Sequence, residues 1–169
     1  METTCLIRKM QTSDVKELSQ GFINQGWLGR EEILDRYFLE QECGEREVLV
    51  AEVEGALAGY ITILPCAKQG PFAEIYPELS DFNVFEPFQN QGIGNLLMEE
   101  AEKRVKLISD KVTLGVGLHS GYGPAQRLYI KRGYIPDGSG VWYQNHRPAM
   151  DATCEDIGDL VLYLSKDLI

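Results

Sequence analysis

Long apolar runs are missing from this chain. None approaches the ~18 residues that would cross a bilayer, and Arg8 and Lys9 interrupt the N-terminus before any signal-like apolar region develops. A soluble, intracellular, cytoplasmic protein is therefore expected. Basic residues are also scarce, 16 Lys and Arg against 26 Asp and Glu, for a formal net charge of −10. That balance repels phosphate backbones and acidic lipid, so neither a nucleic-acid partner nor a membrane partner is expected, while a cationic acceptor is favoured. The cysteines Cys5, Cys43, Cys66 and Cys154 are widely spaced and form no Cys-x-x-Cys pair. Their spacing argues against a disulfide framework and a zinc site; lying in or beside apolar runs, they are expected to be buried free thiols, and no metal is expected. Repeats, low-complexity tracts and linkers are absent as well. With 169 residues and 44% apolar side chains, residues 1–169 suit one domain.

Apolar spacing, punctuated by glycine and proline, divides what is there into elements. Leu6 and Ile7 suggest a first strand, followed by a helix that Ser13 or Asp14 can cap and whose apolar side includes Val15, Leu18 and Phe22. The 24–29 segment interrupts it. Ile33, Leu34, Tyr37 and Phe38 mark a second helix that Gly44 is placed to stop. The β-rich runs 48–53 and 56–64 flank Glu54-Gly55, the chemistry of a two-residue hairpin turn. A loop over 65–77 leads to a strand over 78–85, a helix over 93–108 and a strand over 112–118. Strand, crossover helix and strand make a βαβ unit with parallel strands. Pro124 and Gly133 bracket another short helix, and short strands over 141–143 and 160–164 finish the chain.

Inside the βαβ unit lies Gln89-Asn90-Gln91-Gly92-Ile93-Gly94, which reads as a phosphate cradle. The glycines remove side chains where backbone must approach a ligand, and the peptide N–H groups of a first helical turn have no partners of their own. The helix dipole adds attraction, so a pyrophosphate can be held without a lysine from the loop. Taken alone, the glycines fit equally well a helix that merely begins at a turn. Gly115-Val116-Gly117 at a strand end raises a dinucleotide site, but the expected third glycine and acidic ribose partner are poorly placed.

The neighbouring segments make the signal more specific. Asp81-Phe82-Asn83-Val84 precedes the loop, and Ala125-Gln126-Arg127-Leu128-Tyr129-Ile130-Lys131-Arg132-Gly133-Tyr134 follows one crossover later. Here the sequence resembles the GNAT superfamily of acetyl-CoA-dependent N-acyltransferases. Gln89, Gly92 and Gly94 match its cofactor loop, and Leu128, Tyr129, Gly133 and Tyr134 match its later Leu-Tyr-x-x-x-Gly-aromatic segment. The resemblance implies a mixed α/β (α+β) fold, a single domain with a central, mostly antiparallel twisted sheet, a parallel βαβ cofactor unit and helices on both faces. It implies that Phe82, Asn83 and Val84 offer backbone hydrogen bonds to a pantetheine arm. Gln89, Asn90, Gln91, Gly92, Ile93, Gly94 and Asn95 would then hold the pyrophosphate of acetyl-CoA. A pantetheine arm with two amides can join a parted strand almost as an added strand.

The same resemblance implies transfer of an acetyl group to a primary amine by direct passage through a ternary complex. Tyr129 is implied as the general acid that protonates the departing thiolate; on its own it fits core packing too. Glu78 stands at the interval before Gly92 where some members carry a glutamate base, although carboxylates at strand ends are commonly just solvated. Asp81, three residues on, should face the other way, and Asp81, His119 or a water relay stay open as alternatives. Many relatives have asparagine seven positions before the tyrosine, where this chain has Tyr122. Trp27, Tyr37 and Phe38 suit either an acceptor pocket or the core, and Trp142 and Tyr143 call for the same choice. A non-catalytic acyl-CoA-binding sensor or interaction module is the alternative function. The amine could belong to a small molecule or a peptide, and a homodimer is left open.

Overall fold

The computed structural model describes residues 4–156 and 158–169. Its strands are β1 (Cys5–Lys9), β2 (Glu47–Val53), β3 (Ala56–Leu64), β4 (Glu78–Val84), β5 (Lys111–Gly117), β6 (Ile135–Tyr143) and β7 (Leu160–Asp167). Its helices are α1 (Asp14–Asn24), α2 (Glu31–Glu42), α3 (Ile93–Lys106) and α4 (Gly123–Lys131). The strands form a seven-stranded sheet in the order β1-β2-β3-β4-β5-β7-β6. β4 and β5 run parallel, whereas β1–β2, β2–β3, β5–β7 and β6–β7 are antiparallel. This is the mixed, mostly antiparallel sheet with a parallel crossover that the sequence implies. Two compact units make up the chain: the part up to Leu64 with Ser80–Arg104, and Pro65–Leu79 with Val105–Ile169. No helix among the described residues is long and apolar enough to cross a membrane.

In the first unit, Glu54 (φ 51°) and Gly55 (φ 84°) both adopt the left-handed conformation. That backbone twist suits a two-residue hairpin, and it joins β2 to β3 at Val53↔Ala56. Val48 and Val50 cluster with Val15, Leu18 and Phe22 of α1, Leu34 and Tyr37 of α2, and Tyr60 of β3. Phe22 is edge-on to Phe85, with ring centroids 5.2 Å apart, and to Tyr60 at 6.2 Å. Leu49 and Ala51, on the alternate side of β2, are also buried. Glu47 shares that side by strand alternation and bonds Arg104 of α3, whose Leu97, Met98 and Ala101 are buried too. Helices therefore cover both faces of β2, which is why its sequence is nearly continuously apolar.

Of the two candidate caps for α1, Ser13 makes no side-chain cap bond. Asp14 does the local work: Oδ2 accepts Gln11 N–H and Arg8 Nη1, each at 2.7 Å, and Oδ1 accepts Arg8 Nη2 at 2.9 Å. Ser13 is itself already helical, with φ −65° and ψ −21°, so its hydroxyl is not placed as a cap, and Asp14 instead ties the start of α1 back to β1 and to the turn before it. Gly44 follows α2 with φ 77°, as its stop position requires.

In the second unit, β4 pairs with β5 through Glu78↔Thr113 and Leu79↔Leu114. β6 begins at Ile135, earlier than the strand expected at 141. Pro136, Gly138 and Gly140 mask it in the sequence, and the β6–β7 register shifts between Pro136 and Val141, where Gly138 (φ 91°) and Gly140 (φ 78°) sit. Gln144 and Asn145 form a tight left-handed turn closed by a Tyr143↔His146 bridge. Asn145 Oδ1 accepts the Gly70 N–H at 2.7 Å, and a Cβ on Gly70 would lie 2.4 Å from the Tyr163 ring, so the 65–77 loop settles on β7 there.

The cysteines carry free thiols but are not buried, contrary to expectation. Cys43 and Cys66 are exposed, and Cys5 and Cys154 half-buried. They lie at the ends of apolar runs: Cys43 caps α2, and Cys66 follows β3 by two residues. Chain leaving an element there turns its side chains outward.

Candidate active site

Val84 ends β4, and a single 3₁₀ turn over Glu86–Phe88 leads into the glycine loop. Gln89 Nε2 donates to Val84 O at 2.9 Å and Gln91 Nε2 to Pro87 O at 3.0 Å, so both amides brace the loop from within. Asn90 (φ 60°) and Gly92 (φ 82°) are left-handed, and a Cβ added to Gly92 would meet nothing within 4 Å. The helical ladder of α3 begins with Leu96 N–H to Gly92 O at 3.2 Å. The peptide N–H groups of Ile93 and Gly94 precede it, at the positive end of the helix dipole. Gln89, Asn90, Gln91, Gly92 and Asn95 are exposed, Gly94 is half-buried, and the Ile93 side chain is the first core residue of α3.

Upstream, the parallel register of β4 with β5 comprises Glu78 and Leu79, both in the second unit. Ser80 to Val84 belong to the first unit, where Asp81 takes φ 49°. This left-handed residue departs from the extended backbone on which strand alternation rests. Asp81 Oδ1 accepts Arg30 Nη1 at 3.0 Å and Asn83 Nδ2 at 2.8 Å. Its Oδ2 accepts Arg30 Nη2 at 2.8 Å, Tyr37 OH at 2.9 Å and Tyr60 OH at 3.0 Å. A carboxylate offers about four lone-pair sites, so protein donors already fill this one. Burial opposes the Arg30 charge, but the Asp81 hydrogen bond and nearby Tyr60 hold the guanidinium above its ordinary range. Burial, and then the Asp81 charge, push the Tyr37 and Tyr60 phenols up.

Sequence reasoning missed Arg30 and Tyr60. Arg30 lies 51 positions from Asp81, and an arginine beside Glu31 and Glu32 reads as a solvated surface residue. Trp27, Tyr37 and Phe38 separate on inspection. Tyr37 belongs to the core cluster and Phe38 packs against it, whereas Trp27 is exposed with its ring 6.1 Å from Phe22. A cavity of about 390 Å³ opens nearby, lined by Ser19, Ile23, Gly29, Arg30, Glu31, Glu32 and Ile33.

The second unit holds the other expected residues. Tyr129 on α4 is 7% exposed, with its ring centroid 6.0 Å from that of Tyr134. Burial pushes its phenol up, keeping it protonated. Glu78 opens β4, half-buried; burial raises the Tyr163 phenol and the Glu78 charge raises it further, so the two groups interact. His119 Nδ1 accepts the Gly121 N–H at 3.0 Å, which gives this histidine a turn to hold. Tyr122, where relatives carry asparagine, lays its ring over Gly117: a Cβ there would lie 2.5 Å from it. Gly115 likewise leaves room for Val161 and Tyr163, at 2.9 and 3.1 Å from a notional Cβ. The Gly115/Gly117 pair thus seats side chains and needs no dinucleotide to explain it. Trp142 donates to Ser139 Oγ at 2.7 Å and packs edge-on to Tyr163 at 5.8 Å; Tyr143 packs against His146 at 6.4 Å.

Residues 14–134 match the model of the acetyltransferase (GNAT) family. No curated protein matches the chain. Among solved structures, a GNAT-family protein from Desulfovibrio desulfuricans is similar with TM-score 0.74 and 17% identity, over 98% of this chain and 100% of that one. YncA from Salmonella typhimurium, solved with its cofactor acetyl-CoA, gives TM-score 0.69 and 16% identity over 98% and 94%. Ribosomal-protein-alanine N-acetyltransferase from Brucella melitensis gives 0.70 and 22% over 96% and 99%. At these identities the structures speak for the fold, and the family match spans most of the sequence, so the chain belongs to the GNAT family of acetyltransferases.

Proposed function

We propose that this chain is a single acetyltransferase domain that moves an acetyl group from acetyl-CoA directly to a primary amine, in a ternary complex. The carrying observation is the mouth of α3. Gly92 leaves open space above a left-handed turn, and the N–H groups of Ile93 and Gly94 stand ahead of the helical ladder. Residues 89–95 would hold the pyrophosphate, and the peptide groups of Phe82, Asn83 and Val84 the pantetheine arm. Acetyl-CoA supplies an activated thioester; the chain supplies orientation, charge and protons.

An ammonium has no lone pair, so the acceptor must lose a proton, which we assign to Glu78, directly or through water. Tyr129 gives a proton to the leaving sulfur. Backbone N–H groups near Val84 would stabilise charge developing on the thioester oxygen. The cavity edged by Glu31 and Glu32 and the net charge of −10 support a cationic acceptor, whether a small molecule or a peptide. Free thiols suit a reducing compartment such as the cytoplasm.

Calorimetry with acetyl-CoA, followed by a thiol-release screen over amine classes, tests the reading. Saturable binding with thiol release for at least one amine class is expected. Binding with no release across the panel would favour the sensor module, and absence of binding would remove the donor site altogether.

A further inference from the structure

Asp81 collects more hydrogen bonds than a surface ion pair needs, and they converge on a kink. A left-handed conformation in a non-glycine residue within a strand persists where the surroundings over-determine it. Here they do so on both sides. Arg30 grips the carboxylate with both terminal nitrogens, Tyr37 and Tyr60 add their hydroxyls, and Asn83 clasps Oδ1 across the kink. Just before it, Ser80 O accepts Thr62 Oγ1 at 2.8 Å. Just after it, Asn83 O lies where a Cβ on Gly59 would sit only 2.2 Å away, and Phe85 N–H bonds Ala58 O at 2.8 Å. The backbone of 80–85 is thereby fixed before, at and after its bend. An ion pair with 24% and 14% side-chain exposure adds little cohesion that apolar groups would not match, whereas planar two-point contact fixes direction well.

We propose that Arg30, Tyr37 and Tyr60 form a positioning clamp on Asp81 that sets the direction of the Phe82–Val84 peptide groups. The clamp governs how the acyl-pantetheine end of the donor is held and leaves its nucleotide end to the α3 mouth. This rests on the donor reading above, and the test separates the two. Calorimetry would compare acetyl-CoA with 3′-phospho-ADP, which carries the pyrophosphate but no pantetheine, on the wild type, Asp81→Asn and Tyr37→Phe. Asparagine tolerates the left-handed backbone but loses the charge.

The ratio of the dissociation constant for 3′-phospho-ADP to that for acetyl-CoA reads the pantetheine contribution alone. It should fall about tenfold in Asp81→Asn and about two- to threefold in Tyr37→Phe, while 3′-phospho-ADP affinity stays within about twofold. A merely structural pair would weaken both ligands together or neither, and either result in a folded variant overturns the clamp. If Asp81→Asn does not fold, an unchanged ratio in Tyr37→Phe overturns it alone. A wild type that binds 3′-phospho-ADP no more weakly than acetyl-CoA also overturns the clamp but leaves the α3 mouth standing. A wild type that binds neither refutes the donor reading itself.

Discussion

A phenol is protonated at neutral pH, and burial of Tyr129 pushes its ionisation further up. It needs no tuning to serve as an acid. We expect Tyr129→Phe to keep acetyl-CoA affinity within about twofold and to lose about 10²- to 10⁴-fold in turnover, the usual worth of a positioned proton donor. Equal turnover under chemistry-limited conditions would take Tyr129 out of the acid role. Glu78→Gln removes the proposed proton acceptor while keeping shape, so turnover with an ammonium substrate should fall and recover as pH rises and the free amine becomes abundant. A pH profile parallel to that of the wild type would point to another base.

Glycines at the level of strand and helix separate steric from conformational need. Gly59 faces Asn83 O at a distance no side chain can share, so Gly59→Ala should push β3 from β4 and cost about 1–3 kcal/mol in urea unfolding. Gly92 has open space but φ 82°, so Gly92→Ala should cost only about 1–2 kcal/mol from left-handed strain. If residues 89–95 hold the pyrophosphate as proposed, its larger effect should be on acetyl-CoA binding, because the new methyl would enter the open space beside Gly92. These contrasts also mark what the sequence discloses. Glu54-Gly55, Gly44 and Gly133, the last with φ 93°, announce their turns because left-handed backbone restricts residue choice locally, and the parallel crossover follows from element order. β6 was hidden because its register break absorbs Pro136 and two glycines inside a strand. The Asp81 clamp was hidden because its partners lie 21 to 51 positions away, and no local preference records such a pairing. Ser13 does not cap because its own backbone is already helical, and Asp14 binds Arg8 of the preceding strand and the Gln11 amide instead, a pairing that no local preference records.

For the molecule as a whole, Tyr37, Tyr60, Tyr129 and Tyr163 all have phenols raised by burial. In the unfolded chain these groups lose their protons near pH 10. Between that pH and their higher folded values the unfolded state alone gains from ionisation. Stability is therefore whole below about pH 10 and declines as pH rises beyond it. Urea midpoints should fall across that range while phenolate absorbance of the folded protein lags behind the total tyrosine content; a midpoint flat through pH 11 would contradict this. The net charge of −10 should draw the proposed cationic acceptor and oppose the anionic donor. Added salt should then lower kcat/KM for the acceptor and raise it for acetyl-CoA.

The bond from the Gly70 amide to Asn145, with Gly70 pressed on the Tyr163 ring, ties one surface loop to the turn after β6. Deuterium uptake at that amide should lag its surface neighbours, and cutting the tie with Asn145→Ala should speed exchange across the 65–77 stretch as a block.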